Sequence, residues 1–494
     1  MPASPLDAAR ALASPDLPPG ATPLRSLLVH GCVLLVWGLL FYMAFASSGG
    51  VLAWSVGVAY VSYDTVLLAF VAWCTWGLRG AAAGPTAPPP PAADAPRPSV
   101  AVLIAARNEA AGLPLTLAAL LEQTDPPEQI VVVDDGSTDG TAALLEQDYG
   151  VAPPPLGGCS APGGPQSRLR WLRLPHGGKA VALNTALPLV EADIVLTVDG
   201  DTLLEPEAIA AVRGAFMADP ALAIATGVIQ PVCAPTLRGR VFQWFQTYEY
   251  VRNFLSRYAW MQLDSLLLVS GAFGAYRREA VLAVGGFDPD CLVEDYELTH
   301  RMRRHALRQG LHWHVAVLGN ARARTDAPGT LVAFLRQRMR WFGGFLQTQY
   351  RYREMVGNPR YGPIGTRMLP VKAVDTLQPL FGLTAFGLLV WDVAAGKLSL
   401  LAAAGSVIGI KLAIDLGFHL WSIHLYRRWA GGEARISFGQ GLLAALAEPF
   451  SFQLLRHTGA ALGWLAFLTG RWHWAPQHRT GLTVEGGGTQ PPRA

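Results

Sequence analysis

Charged side chains are scarce in this chain of 494 residues. Only 15% of the residues are Asp, Glu, Lys or Arg, whereas 51% are hydrophobic, which is unlike the usual composition of a soluble protein. A net charge of +3 is too small to indicate a nucleic-acid partner, and no RNA- or DNA-binding motif is present. The composition therefore predicts a protein that lies partly in lipid.

Several short motifs are absent as well. The five cysteines have no CxxC or Cys/His spacing, so the sequence indicates neither a zinc site nor a set of disulfides. The first predicted strand is followed by AARNEA instead of GxGxxG, which argues against an enzyme that uses nicotinamide or flavin. No GxxxxGK[ST] string is found, so a P-loop is not expected either.

Two long apolar runs lie near the N-terminus. Residues 27–46 carry no Asp, Glu, Lys or Arg, and about 20 such residues suffice to cross a bilayer. A second run, within residues 52–78, is interrupted only by Asp64, which is better explained by helix packing than by chemistry. Arg25 and Arg79 flank the pair, so the positive-inside rule predicts that both flanks, and the residues that follow, are cytosolic.

The C-terminal third is also apolar. Residues 373–395 and 398–426 are each predicted to span the membrane. Lys411 lies four residues before Asp415, so the two charges can neutralise each other while facing either the interior of a helix bundle or a path for sugar. Pairing for packing is the favoured interpretation. The run 438–468 is interrupted by a Glu-Pro pair, which predicts either one kinked span or a re-entrant element.

Between these regions, from Ser99 onwards, short β-rich runs such as VAVLIAA, QIVVVDD and DIVLTVDGD alternate with helical stretches. This alternation predicts a parallel sheet with helices on both faces, in which ligands bind at the carboxyl ends of the strands. Polar clusters follow three of the predicted strands. They are Arg107-Asn108-Glu109, Asp134-Asp135 with Asp139, and Asp199-Gly200-Asp201.

The predicted organisation has seven parts, and the side of the membrane on which the last one ends is left open. In chain order they are an N-terminal tail at 1–26, two transmembrane helices at 27–78, a Pro/Ala-rich linker at 79–98, an α/β domain at 99–328, an amphipathic interface helix at 329–360, C-terminal transmembrane helices at 361–470 and a tail at 471–494.

The string DGD places two carboxylates, Asp199 and Asp201, on either side of a glycine after a strand. Such a pair can converge on a hard divalent cation that is shared with phosphate oxygens. The alternative is a solvated Asp-Gly turn. We expect Mg²⁺ or Mn²⁺ at this position, held by both carboxylates.

Two further strings predict a nucleotide site. In DDGSTDGT, Asp134 and Asp135 can accept from a uracil N–H, while the Gly/Ser/Thr turn brings backbone donors near a ribose or phosphate. In GGKA, two glycines allow close approach and Lys179 supplies a charge suited to a diphosphate. The alternatives are a helix cap for the first string and a surface lysine for the second.

An adjacent acidic pair, Glu294-Asp295, begins a predicted helix after GGFD. Direct displacement at an anomeric carbon needs a base, because the attacking hydroxyl must lose its proton. The alternative is an acidic cap at the start of the helix. We expect Asp295 to be the base, with Glu294 as its supporting neighbour.

The string QRMRW lies in an apolar-periodic, arginine-rich stretch. Such a helix is expected to lie at the membrane surface, where anionic headgroups attract its arginines. Gln337 and Arg340 share one face, with Trp341 beside them, so the three side chains can hold a sugar and a pyrophosphate.

Taken together, DDGSTDGT, GGKAVALN, DGD, VEDYELTHR and QRMRW occur in the order and spacing of membrane-bound family 2 glycosyltransferases. The chain resembles the branch that contains the poly-N-acetylglucosamine, cellulose and hyaluronan synthases, over residues from about 100 to 341. The resemblance implies a GT-A fold, which is a Rossmann-like mixed sheet, beside α-helical transmembrane segments. It also implies a UDP-sugar donor, inversion at the anomeric carbon and a required divalent metal.

The resemblance assigns each matching residue a role. The donor site would comprise Arg107, Glu109, Asp134, Asp135, Lys179 and Asp199; the metal ligands would be Asp199 and Asp201; the catalytic pair would be Asp295 and Glu294; the acceptor and pyrophosphate would be held by Gln337, Arg340 and Trp341.

The expected activity is transfer of a sugar to a growing β-linked polysaccharide at a bacterial inner membrane. An enzyme that puts one sugar on a lipid acceptor is the alternative, and membrane lipids are expected partners of both. A subunit without activity is a third possibility. It is disfavoured because a protein without catalysis has no reason to keep mutually repelling carboxylates in one cleft.

Overall fold

The computed structural model describes residues 4–18, 20–46, 54–80, 97–164, 167–396, 398–431, 437–470 and 482. Most of the predicted linker at 79–98 and nearly all of the predicted tail at 471–494 therefore lie outside the described residues.

One eight-stranded sheet forms the centre of the α/β domain, in the order β3-β2-β1-β4-β7-β6-β8-β5. Its buried strands are rich in Val, Ile and Leu, as expected of a sheet covered on both faces. The strands are β1 (Val100–Ala106), β2 (Gln129–Asp135), β3 (Leu169–Leu174), β4 (Ile194–Asp199), β5 (Thr202–Leu204), β6 (Leu222–Val232), β7 (Phe273–Arg277) and β8 (His314–Asp326).

The sheet is mixed rather than parallel throughout. Strands β3, β2, β1 and β4 are parallel neighbours, whereas β7 pairs antiparallel with both β4 and β6. Alternation of strands and helices in the sequence predicted only the parallel part. The expectation of a purely parallel sheet is therefore wrong at β7 and β5, and the mixed sheet implied by the resemblance is confirmed.

The described residues also form sixteen α-helices. They are α1 (Pro5–Ala13), α2 (Leu24–Ala46), α3 (Ser55–Cys74), α4 (Leu113–Leu121), α5 (Thr141–Ala143), α6 (Lys179–Ala186), α7 (Ala208–Ala218), α8 (Leu237–Gln262), α9 (Arg278–Ala283), α10 (Glu294–Gln309), α11 (Leu331–Arg351), α12 (Leu369–Asp375), α13 (Gln378–Ala394), α14 (Leu398–Trp429), α15 (Phe438–Ala447) and α16 (Phe452–Thr469).

Four helical segments in the described residues are long and apolar enough to cross a membrane. They are Leu24–Ala46, Ser55–Cys74, Ile364–Ala394 and Ala404–Trp429. The third begins earlier than the predicted 373–395, because a short π-helical turn and α12 precede α13. The run predicted at 438–468 is interrupted by a 3-10 turn at Glu448–Phe450, between α15 and α16.

Two arginines of α11 pair with carboxylates of the protein. Arg338 forms two hydrogen bonds with Glu249, at 2.9 and 2.8 Å, and Arg351 pairs with Asp288. The helix also packs closely on α16, where a side chain added at Gly463 would lie 2.9 Å from the backbone of α11. These contacts fix one side of α11 against the rest of the protein, and its position at the membrane surface stays a prediction.

Candidate active site

Four parallel strands end at one edge of the sheet, and the polar loops that follow them meet there. Asp135, at the end of β2, accepts hydrogen bonds from the backbone N–H groups of Gly177 and Gly178. His176 lies 2.8 Å from the same carboxylate. Gly178 has φ +92°, a backbone conformation that strains any other residue. Asp135 therefore fixes the loop that positions Lys179.

The loop after β1 is tied to the loop after β2. Asn108 has φ +58° and its side chain accepts from the backbone of Thr138 at 2.7 Å, while Asp134 accepts from the backbone of Ser137 at 2.8 Å. Glu109 packs against Gly200 of the DGD turn. The Nε atom of Arg107 is buried without a hydrogen-bond partner among the described residues. The two loops thus form one rigid rim beside the end of β4.

Lys179 is the centre of an ionic cluster at this rim. Its Nζ lies 2.7 Å from Oδ1 of Asp199 and 3.1 Å from Oε1 of Glu294. Burial disfavours the ammonium, but the carboxylates of Asp199 and Glu294 outweigh it and raise the pKa of Lys179 above its ordinary value. The lysine therefore stays charged and joins the GGKA loop, strand β4 and the start of α10.

Asp295 lies next to this cluster, at the first turn of α10. Its carboxylate accepts from the backbone N–H of Gly271 and, at 2.7 Å, from that of Tyr296. A side chain at position 271 would meet the carboxylate at 2.8 Å, so only glycine allows this approach. Burial and the charge of Glu294 raise the pKa of Asp295 to about 6. A carboxylate with that pKa is suited to accept a proton near neutral pH.

Asp199 and Asp201 supply hard oxygen atoms where the resemblance places a divalent cation. Asp201 is buried, and Thr325 on β8 approaches its carboxylate at 3.5 Å. Among the described residues, no group of three or more His, Cys, Asp or Glu side chains is arranged to hold a metal ion. A magnesium-type cation is commonly held by one or two carboxylates together with phosphate oxygens and water. The two aspartates fit that kind of site.

A cavity of about 560 Å³ reaches from these groups to the helices that are long and apolar enough to cross a membrane. Lys179, Asp199 and Asp295 line one end, which we call the donor end. Asp64 and Asp415, on the candidate spans α3 and α14, line the other, which we call the membrane end. One continuous space therefore connects the edge of the sheet with helices of membrane-spanning length.

The QRMRW segment of α11 forms part of the cavity wall. Gln337, Arg340 and Trp341 all line the cavity, and Arg340 also donates to the carbonyl of Leu292 at 3.3 Å. The intervening Arg338 turns toward Glu249 and lies 4.6 Å from the Trp341 ring. The ion pair with Glu249 therefore holds the guanidinium of Arg338 against the ring of Trp341.

The charged cavity residues that no sequence motif indicates include Glu249 and Arg257, which both lie on α8. Glu249 is buried against Arg338, and Arg257 lines the cavity near Asp295. The sequence of α8 carries no motif, and its charged residues look like the polar face of an ordinary helix. That face turns inward because α8 packs against α3 and α14 and pairs through Glu249 with Arg338 of α11.

Comparisons with known proteins agree with this arrangement. The family profile described as "Glycosyltransferase like family 2" matches residues 96–344, half of the chain. β-Monoglucosyldiacylglycerol synthase of Synechocystis is 28% identical over 57% of this chain and 57% of its own length. Poly-β-1,6-N-acetyl-D-glucosamine synthase of Staphylococcus aureus is 25% identical over 50% of this chain and 54% of its own length. The chain thus spans little more than half the length of these curated relatives.

A solved structure supports the fold. The mannosyltransferase PcManGT from Pyrobaculum calidifontis, in complex with GDP-Man and Mn²⁺, superposes with a TM-score of 0.50 at 22% identity. The match covers 80% of this chain and 99% of PcManGT. The profile match, the mixed sheet with its strand-end acidic loops, and the candidate spans lead to one conclusion: this chain has a GT-A fold and belongs to glycosyltransferase-like family 2.

Proposed function

We propose that this protein transfers a sugar, with inversion, from a UDP-sugar to a growing β-linked polysaccharide related to poly-N-acetylglucosamine. The observation that carries the proposal is the continuous cavity. It has a buried carboxylate and a lysine cluster at the donor end, and it extends to helices of membrane-spanning length at the other. An acceptor can therefore reach the base from the membrane side while the nucleotide occupies the strand-end loops.

The chemistry assigned to Asp295 is that of a general base. A hydroxyl of the acceptor attacks the anomeric carbon, the new C–O bond forms on the face opposite the departing diphosphate, and the bond to the diphosphate oxygen breaks. The hydroxyl proton passes to the carboxylate of Asp295, which its two backbone hydrogen bonds hold in place. Glu294 supports this arrangement by holding Lys179.

The remaining predicted residues bind and orient the substrates. Asp134 and Asp135, with Arg107 and Glu109, form the rim for the nucleoside and diphosphate. Gln337, Arg340 and Trp341 hold the acceptor end and the pyrophosphate from the opposite wall. Asp199 and Asp201 would hold Mg²⁺ or Mn²⁺, which when bound supplies positive charge to the diphosphate.

We further propose that the protein lies in a bacterial inner membrane with its catalytic domain in the cytosol. Arg25 and Arg79 flank the first two candidate spans on the side of the α/β domain, as the positive-inside rule requires of a cytosolic face. A cytosolic donor site also has direct access to UDP-sugars.

Single transfer to a lipid acceptor is a second candidate. It is supported by Leu67, Leu68 and Val71 of α3, which line the cavity and give it an apolar wall. Among the relatives, one is named for a product built on diacylglycerol and another for a polysaccharide, so the family relationship alone does not choose between the two acceptors.

Labelled UDP-sugars distinguish the two candidates. Membranes that contain the protein are incubated with Mg²⁺ or Mn²⁺ and a panel of radiolabelled UDP-sugars, and the products are extracted with organic solvent and separated by size. We expect label in high-mass carbohydrate. Label confined to the organic phase would show that the acceptor is a lipid and not a polysaccharide. No incorporation from any UDP-sugar would contradict the proposed donor.

A further inference from the structure

Most cations that line the cavity have a carboxylate partner. Five of them in the described part of the chain lie within salt-bridge distance of an acidic side chain. These five are Lys179, Arg252, Arg338, Lys372 and Arg456. Buried or partly buried charge of this kind is stable in a protein only when it is compensated.

Arg257 differs from these five cations. Its Nε and Nη1 atoms are buried and have no hydrogen-bond partner among the described residues. The guanidinium carbon lies 4.5 Å from the centre of the Phe254 ring, and a ring face is a much weaker partner than a carboxylate. Burial lowers the pKa of Arg257 to about 10, although the nearby charge of Asp295 opposes this effect. The guanidinium therefore remains charged at neutral pH, and in the described part of the chain it forms no salt bridge or hydrogen bond with a carboxylate.

The position of Arg257 along α8 suggests where that anion comes from. One turn further on, the ring of Trp260 lies 4.8 Å from the ring of Phe70, close to the end of the candidate span α3 at Cys74. Trp73 and Trp76 are strongly exposed at the same end of α3, as aromatic side chains are at the boundary between lipid and water. Arg257 therefore lies near the depth of lipid headgroups.

We infer that Arg257 binds the phosphate group of a lipid headgroup that enters the cavity from the membrane. Arginine matches phosphate oxygens with two parallel N–H donors, so an incoming phosphate would satisfy atoms that now lack partners. The lipid would lie beside Asp295, with its acyl chains toward Leu67 and Leu68 of α3. Binding of this lipid rests on the cavity and does not require the proposed UDP-sugar transfer.

Lipid retention tests the inference directly. The full chain is purified in detergent, titrated with dioleoyl phosphatidic acid or with dioleoylglycerol, and the bound lipid is counted by native mass spectrometry. We expect Arg257→Gln to weaken retention of phosphatidic acid about tenfold or more, the effect of losing a charge-assisted hydrogen-bonded pair, with Arg257→Lys intermediate. Arg240→Gln, an exposed arginine of the same helix, should match the wild type, and dioleoylglycerol should not distinguish the variants.

Two further measurements separate other sources of phosphate. Inorganic phosphate is added as a competitor, and the affinity for UDP with Mn²⁺ is measured for each variant. If inorganic phosphate displaces bound phosphatidic acid as effectively as added phosphatidic acid does, Arg257 binds a free phosphate anion and not a lipid. A tenfold loss of UDP affinity in Arg257→Gln would show that the guanidinium binds the nucleotide-sugar donor and not a lipid. Equal retention of phosphatidic acid by the wild type and Arg257→Gln would also overturn the inference.

Thermal melting shows whether Arg257 has only a structural role. Arg257 is only partly buried and forms no salt bridge in the described part of the chain, so its removal should leave the melting temperature of the lipid-free protein unchanged or raise it. A clear fall in Arg257→Gln but not in Arg240→Gln would mean that the guanidinium stabilises the fold, and it would overturn the binding role. If lipid retention behaves as expected while no sugar transfer is found, the proposed function fails and the lipid site stands.

Discussion

The two ends of the cavity balance their charges in different ways. At the donor end, the ammonium of Lys179 lies among three carboxylates, those of Asp199, Glu294 and Asp295, and the guanidinium of Arg257 lies near Asp295. The carboxylates there outnumber the cations. At the membrane end, Lys411 lies 2.6 Å from Asp64 and also pairs with Asp415. A second group of charges at this end has the opposite excess, because two cations, Arg252 and Arg456, share one carboxylate, that of Glu448. Together these two groups carry equal numbers of positive and negative charges.

The difference indicates which groups are free to do chemistry. Carboxylates that outnumber their cation repel one another, and they gain stability when a divalent ion or a proton arrives. Charges that already compensate one another inside a helix bundle have no such tendency, and their main contribution is to hold the helices together. Substitutions at the donor end should therefore change turnover, while those toward the membrane end should change stability.

The largest effect on turnover is expected from Asp295→Asn. The amide cannot accept the hydroxyl proton, so the rate of transfer should fall by about 10²- to 10⁴-fold. Affinity for UDP with Mn²⁺ should stay nearly intact, because Asp295 is assigned no contact with the nucleotide. Asp290→Asn, which changes an exposed carboxylate of the preceding loop, is the matched control. Near-normal turnover of Asp295→Asn would contradict the assignment of Asp295 as the general base.

The largest effect on stability is expected from Arg338→Met, on the wall between the two ends. The change removes two hydrogen bonds from Glu249 and leaves this buried carboxylate with only Arg456, 3.7 Å away, as a cationic partner, which should lower the free energy of unfolding by about 3 kcal/mol. Melting in detergent measures the loss. The double change Arg338→Met with Glu249→Leu should recover most of it, whereas Arg336→Met, at an exposed position of α11, should have little effect. Equal melting of Arg338→Met and Arg336→Met would contradict a structural role for the pair.

A moderate effect is expected in the pH dependence of transfer. Burial and the charge of Glu294 raise the pKa of Asp295 to about 6, and the base acts only when ionised, so kcat/KM should rise as the pH increases through about 6. Glu294→Gln removes one cause of the raised pKa and should move the midpoint to lower pH. Glu279→Gln, at an exposed position, should leave the midpoint in place. If the midpoint of the pH profile is the same in Glu294→Gln as in the wild type, the charge of Glu294 does not raise the pKa of Asp295.

The smallest effect is expected from Asp64→Asn at the membrane end. Lys411 keeps its pair with Asp415, so transfer should change less than about twofold, within the range of a weakly coupled ion pair. Activity is measured in the same membranes as for Asp295→Asn, with Ser62→Ala on the same helix as the control. A loss of activity comparable to that of Asp295→Asn would show that the membrane end takes part in the reaction and would end the distinction between the two ends.

Much of the donor end could be predicted because its residues occur in short strings at strand ends. Parallel strands bring their carboxyl ends to one edge, so Asp135, Lys179 and Asp199 could be placed together before any coordinates were known. Glu249 and Arg257 could not be predicted in this way. They lie on a long helix without a motif, and their inward orientation depends on packing against α3 and α14 and on the pair of Glu249 with Arg338 of α11.

The amino-acid sequence by itself determined the apolar segments, the alternation of strands and helices, and the acidic loops, because each depends on residues close together in the chain. Tertiary structure alone decided that β7 runs antiparallel between β4 and β6 and that Lys411 on α14 reaches Asp64 on α3. It also decided that two buried nitrogen atoms of Arg257 have no hydrogen-bond partner among the described residues. These features arise from contacts between distant segments, and the free energy of such contacts depends on burial and charge pairing that no local pattern specifies.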